Sequence, residues 1–178
     1  MHQTLCRCLL FPFVALLSLS AQIRTAPPSR VPPTLQQATQ RAGTIFAGRV
    51  MSITPIRATA SDRIGSVQVT FQVEQAVRGV RVGQTLSIRE WAGLWSSGER
   101  YHMGERLMLF LYAPSKIGLT SPVGGPGGRL AVDREGRVRL SPLQAQAVRV
   151  ISPQIRIDPD HRVPVRDFTR AVRRMAME

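Results

Sequence analysis

The eight residues Val67-Gln-Val-Thr-Phe-Gln-Val-Glu74 alternate apolar and polar side chains without a break. A period of two places Val67, Val69, Phe71 and Val73 on one face of a strand and Gln68, Thr70, Gln72 and Glu74 on the other, whereas a helix would scatter both kinds around its axis. Flanking segments repeat the theme. Thr44-Ile-Phe-Ala-Gly-Arg-Val50 reads as a first strand, and Gly48 inside it marks a bulge or a strong bend. Thr85-Leu-Ser-Ile-Arg-Glu90 places Leu86 and Ile88 inward, and Arg106-Leu-Met-Leu-Phe-Leu-Tyr112 is apolar on both faces, as a central strand covered on both sides should be. Turn signals at Arg78-Gly79, Gly83, Gly104-Glu105 and Pro114 separate these runs.

The rest of the chain is less regular. Ile117 to Thr120 is long enough for one more short strand, Pro122 to Gly128 reads as a loop, and residues 129–133 and 136–140 form a hairpin across Arg134-Glu135. Thr34 caps a short helix over residues 35–42, with Leu35, Ala38 and Ala42 on one face and Gly43 stopping it. Residues 141–163 are poorly patterned, because Pro142, Pro153 and Pro159 interrupt any long element. A last helix carries Phe168, Ala171, Val172 and Met175 at helical spacing, with Asp167 as its cap. The expected fold is mainly β: a small barrel of five to seven strands, with a short N-terminal helix and a C-terminal amphipathic helix.

Residues 1–20 read as a signal peptide, with one charge at Arg7 and an apolar stretch from Cys8 to Leu19. That stretch falls short of the roughly 20 residues needed to span a bilayer, so cleavage after Ser20 is expected rather than anchoring. Residues 21–33, with Pro27, Pro28, Pro32 and Pro33, form a proline-rich leader; residues 34–140 form the barrel domain, and residues 141–178 an irregular extension with the final helix. Both cysteines, Cys6 and Cys8, lie in the signal, so the cleaved chain is expected to lack disulfides, cysteine metal ligands and thiol nucleophiles. Export without cysteine points to a bacterial periplasmic or extracellular protein. No later stretch is long and apolar enough to span a membrane.

The net charge is +13, almost entirely from arginine, Lys116 being the single lysine. The arginines are scattered rather than blocked, which fits solvated strand faces, and an exported chain is not expected to meet nucleic acid. An anionic envelope polymer or lipid headgroup is the partner such a surface would favour.

The order of motifs resembles a known class. A signal, a helix, then Phe46-Ala-Gly-Arg-Val50, Val-x-Phe-x-Val-Glu, Gly-Glu-Arg-Tyr and Gly-Glu-Arg-Leu-x-Leu-Phe-Leu are similar to small exported bacterial proteins with the OB-type barrel of the tissue-inhibitor-of-metalloproteinases and netrin-domain class. The likeness covers roughly residues 35–140 and implies an OB-like barrel. Inhibitors of that class chelate the protease zinc through an N-terminal cysteine. The cysteine-free mature chain cannot carry that mechanism over, so a protease inhibitor here would need a different wedge.

Catalytic motifs are sparse. His102 and His161 are the only histidines after the signal, and neither His-Glu-x-x-His nor Gly-x-Ser-x-Gly occurs. Asp158-Pro-Asp160-His161 reads as a turn rather than a metal site, Glu99 and Glu105 as surface ion-pair partners, and Gly124-Gly-Pro-Gly-Gly128 as a flexible loop without the Lys-Ser/Thr of a phosphate loop. No cofactor or metal is expected. The best candidate site is aromatic: Trp91, Trp95 and Tyr101 share one loop with Arg100, at the kind of barrel mouth where OB folds bind. The expectation is a non-enzymatic binding module of the bacterial envelope. A cysteine-independent inhibitor of a secreted protease and a polyanion binder are the alternatives.

Overall fold

The computed structural model describes residues 33–59, 64–96 and 101–177. The expected signal peptide, both cysteines, nearly all of the proline-rich leader, Glu99 and Arg100 lie outside the described residues.

The elements run α1 (Leu35–Arg41), β1 (Thr44–Ile56), β2 (Ser66–Arg78), β3 (Thr85–Trp91), α2 (Ala92–Ser96), β4 (Arg106–Leu111), β5 (Arg129–Val132), β6 (Arg137–Arg139), α3 (Pro142–Ile151), β7 (Arg162–Pro164) and α4 (Val165–Met175). The strands form one seven-stranded sheet in the order β3-β2-β1-β4-β5-β6-β7, every neighbouring pair antiparallel. This sheet is open, which corrects the expectation of a closed barrel. The second edge of β4 is taken by β5, and β6 and β7 then extend the sheet instead of returning it to β3. Two single-residue bridges tie strands to the segment 119–122: Arg89 of β3 with Leu119, parallel, and Leu111 of β4 with Pro122, antiparallel.

Strand β1 holds the sheet together, and its pairing with β2 slips register at Ile45/Phe46, Ala47/Gly48 and Val50/Ser52. Such bulges bend a strand and increase its twist. Gly48 is required at the middle one: a Cβ there would lie 2.7 Å from the Gln72 carbonyl oxygen and 3.1 Å from Phe46. The alternation expected in β1, β2 and β4 sorts their side chains into two separate cores. Phe46, Val50, Val67, Val69, Phe71, Val73, Leu107, Leu109 and Leu111 fill one face, joined by Ile88 and Tyr101. Ile45, Ala47, Met108 and Phe110 turn to the other, where α1, α3 and α4 cover them. Burial of β1 and β4 on both sides is thus met from two directions.

The helices show where local chemistry overrides composition. α1 has the expected Thr34 cap, completed as a capping box by Gln37. Its far end is closed from a distance: the Arg78 guanidinium donates to the Thr39 and Ala42 carbonyls, both at 2.9 Å. α3 lies inside the stretch expected to be irregular. Ser141 and Gln144 form a second capping box, and Pro142 sits in the first turn, where its missing N–H costs nothing. The expected stripe of α4 is buried throughout, but Asp167 is not its cap; α4 begins at Val165, directly after β7, and Asp167 pairs with Arg170 in its first turn. Ala145, Val148, Ile155 and Val163 join the same core as β5 and β6. Among the described residues no helix is long and apolar enough to cross a membrane.

Candidate functional site

The site grows from the end of β3, where alternation sends Glu90 inward and Trp91 outward. Glu90 is 4% exposed, a carboxylate enclosed by the core that Phe71 and Leu109 help to form. A charge so placed needs donors. α2 folds back immediately after β3, and Trp95 Nε1 donates to Glu90 Oε2 at 3.1 Å. Tyr101, which is 3% exposed, donates its hydroxyl to Glu90 Oε1 at 2.8 Å. Both carboxylate oxygens therefore hold a ring donor, and the two rings lie 5.7 Å apart between centroids.

Edge-to-face packing continues inward. Tyr101 meets Phe71 at 5.5 Å and 82°, and Phe71 meets Phe46 at 5.4 Å and 76°. Such geometry sets the positive ring edge against the negative face. The Arg129 guanidinium carbon sits over the Tyr101 ring, 5.1 Å from its centroid, a cation–π contact. Arg129 opens β5 directly after the Gly125–Gly128 turn, so the glycine-rich segment ends beside the aromatic cluster.

Trp91 is placed differently. It is 53% exposed at the rim of the sheet, opposite Ser66 of β2. Its indole covers Gly93, and a Cβ at residue 93 would collide with the ring. Along the same outer face, Thr70 and Ser87 hydroxyls share a hydrogen bond at 2.9 Å, and Arg89 donates to Ser66 Oγ at 2.9 Å. The face is a strip of hydrogen-bonding side chains ending in one exposed aromatic.

Of the four residues singled out in the sequence, the fold thus brings Trp95 and Tyr101 together on Glu90 and leaves Trp91 on the outer surface, while Arg100 lies outside the described residues. Glu90 went unnoticed in the sequence. Its signal was available: Leu86 and Ile88 face inward, and the same parity carries a carboxylate into the core. The Asp158–His161 segment is the expected turn, with His161 N–H donating to the Asp158 carbonyl and Asp158 paired to Arg137. Among the described residues no three His, Cys, Asp or Glu side chains converge to hold a metal. Compared with models of known protein families, with curated proteins and with solved structures, the chain matches none.

Proposed function

We propose that this protein is a non-catalytic binding module that works outside the cytoplasm, in the bacterial periplasm or beyond, and that it grips a protein or anionic partner through the rim around Trp91. The observation that carries the reading is Trp91 itself: a large aromatic, half exposed, seated on a glycine and next to a strand face of hydrogen-bonding side chains. Aromatics in such settings supply contact area at low entropic cost and recur at the centres of binding surfaces.

The topology supports an OB-like reading of the fold. Although the sheet is open, the two bridges lay residues 119–122 between β3 and β4 and parallel to β3, an arrangement that resembles the parallel contact of the last and third strands in a five-stranded OB fold. The link to the inhibitor and netrin-domain class rests on the same residues. Charge narrows the partner: Arg41, Arg81, Arg134, Arg149 and Arg156 are exposed and form no ion pair among the described residues, so the surface favours an anionic one.

The test compares wild type with Trp91→Ala, both exported from a bacterial host and used as bait in envelope extracts. Thermal melting should be unchanged, because the side chain lies outside both cores, and partner retention should fall at least about fivefold, as loss of an exposed aromatic anchor implies. Equal retention by both baits refutes the rim as the contact surface. Trp95 is the wrong position for this test, since its indole supports Glu90.

A further inference from the structure

We propose that the outer edge of β3 docks an extended peptide with acidic side chains, which adds to the sheet as a strand in the seam between β3 and β4. The inference rests on the binding-module reading above and names the chemistry of its partner.

Pairing with β2 fixes which backbone groups of β3 are already used. The Val73 N–H donates to the Gln84 carbonyl at 2.9 Å and Ala92 N–H to the Gly65 carbonyl at 2.9 Å, so even-numbered residues address β2. Alternation in an antiparallel ladder then turns the N–H and C=O groups of Thr85, Ser87 and Arg89 away from β2. At Arg89 the outward carbonyl accepts from Thr120 N–H at 2.8 Å. At Ser87 and Thr85 the outward groups have no backbone partner among the described residues. An unpaired edge of this kind is a template for another strand.

The seam beside that edge is a real gap. A cleft of about 240 Å³ opens between Leu86, Ile88 and Arg89 on one side and Leu111 and Tyr112 on the other. That is below the roughly 300–1,000 Å³ of small-molecule pockets and suits one or two side chains of an extended chain. Its apolar floor takes an aliphatic residue, while main-chain bonds to Ser87 and Thr85 supply affinity. The charge is one-sided: among the described residues Arg89 lines the cleft and no carboxylate does, Lys116 lies in the turn just before Gly118 of its wall, and the whole chain carries +13. Acidic residues flanking an aliphatic one therefore describe the occupant.

The experiment measures fluorescence polarisation of a labelled peptide, Glu-Val-Asp-Val-Thr-Val-Glu, against the full chain. Two controls accompany it: a version with lysine at the acidic positions, and versions N-methylated at alternate residues in each phase. Saturable binding of the acidic peptide is expected, with no binding of the lysine version. One N-methylated phase should bind at least about tenfold more weakly, as loss of two main-chain bonds implies. Ser87→Pro should match that loss, since the Ser87 N–H points away from β2 and proline is tolerated on an edge; if that variant fails to fold, the methylated peptides on wild type still decide the matter. Absence of binding, or binding indifferent to methylation in both phases, overturns the inference. So does a concentration-dependent dimer that Ser87→Pro abolishes, which would assign the edge to a second copy of the chain. If envelope-partner retention depends on Trp91 while Ser87→Pro changes nothing, the module reading stands and the edge site falls.

Discussion

Glu90→Gln changes one buried oxygen into an NH2 group and leaves the side chain's shape unchanged, so its effect isolates the hydrogen bonds behind the rim. Glu90 receives Tyr101 OH at 2.8 Å on one oxygen and Trp95 Nε1 at 3.1 Å on the other. However the glutamine amide turns, one ring donor then faces another donor. The loss is one hydrogen bond to a charged group, about 1.5–3 kcal/mol, together with part of the cost of a buried donor left unmatched, giving about 2–4 kcal/mol in all. Against a total stability of roughly 5–15 kcal/mol this is a large fraction, and for a domain of this size it lowers the melting temperature by roughly 4–16 °C. The assay is urea unfolding of wild type, Glu90→Gln, Tyr101→Phe and the double variant, followed by circular dichroism. Because both changes act on the same carboxylate–hydroxyl contact, the cycle should show a coupling of about 1–2 kcal/mol. Additivity within about 0.5 kcal/mol, or a Glu90→Gln variant as stable as wild type, would mean that the carboxylate is not what holds α2 and Tyr101 in place.

Two further substitutions probe the frame that carries the site. Gly48→Ala puts a Cβ 2.7 Å from the Gln72 carbonyl oxygen at the central bulge of β1, and should cost about 1–3 kcal/mol in urea unfolding; a neutral result would show that the bulge relaxes freely. Arg78→Met keeps the aliphatic stem but removes both donations to the end of α1, and should cost about 1.5–3 kcal/mol. Hydrogen exchange should quicken in the last turn of α1 and leave the centre of β2 unchanged, and uniform quickening would count against a local cap.

The sequence discloses those parts of the fold whose signal is periodic. β2 and β4 are legible because each is buried in a way that a period of two or a continuous apolar run reports directly, and α4 because Phe168, Ala171, Val172 and Met175 keep helical spacing. α3 is obscured by Pro142, which reads as a breaker until Ser141 and Gln144 are seen as a capping box with proline in the first turn. The start of α4 is obscured because β7 runs straight into it and leaves no polar cap to find. Sheet closure is harder still, since it depends on where β5 goes after pairing with β4, and no local pattern states that. At the site, crowding of aromatics between Glu90 and Tyr101 is visible, but the division of labour among them is not. Trp95 and Tyr101 turn inward because a buried carboxylate requires their donors, while Trp91 stays outside by the parity of β3.

The open seam has a local cause as well as a topological one. Residues 119–123 follow the end of β4 closely: Tyr112 N–H donates to the Ser121 carbonyl at 3.0 Å and Val123 N–H to the Phe110 carbonyl at 2.7 Å. Before Leu119, however, the chain bends away. Gly118, at φ +76°, closes a turn by donating to the Ser115 carbonyl, and Pro114 precedes it. A longer strand running back from Leu119 would have paired with Ser87 and Thr85; the turn places nothing there among the described residues. The missing length therefore lies beside the stretch of β3 whose outward N–H and C=O groups lack partners. An added strand would extend the edge of β3 and cover Leu86 and Ile88. Binding there stabilises the folded sheet, so the affinity of the acidic peptide should appear equally as a gain in the protein's resistance to unfolding.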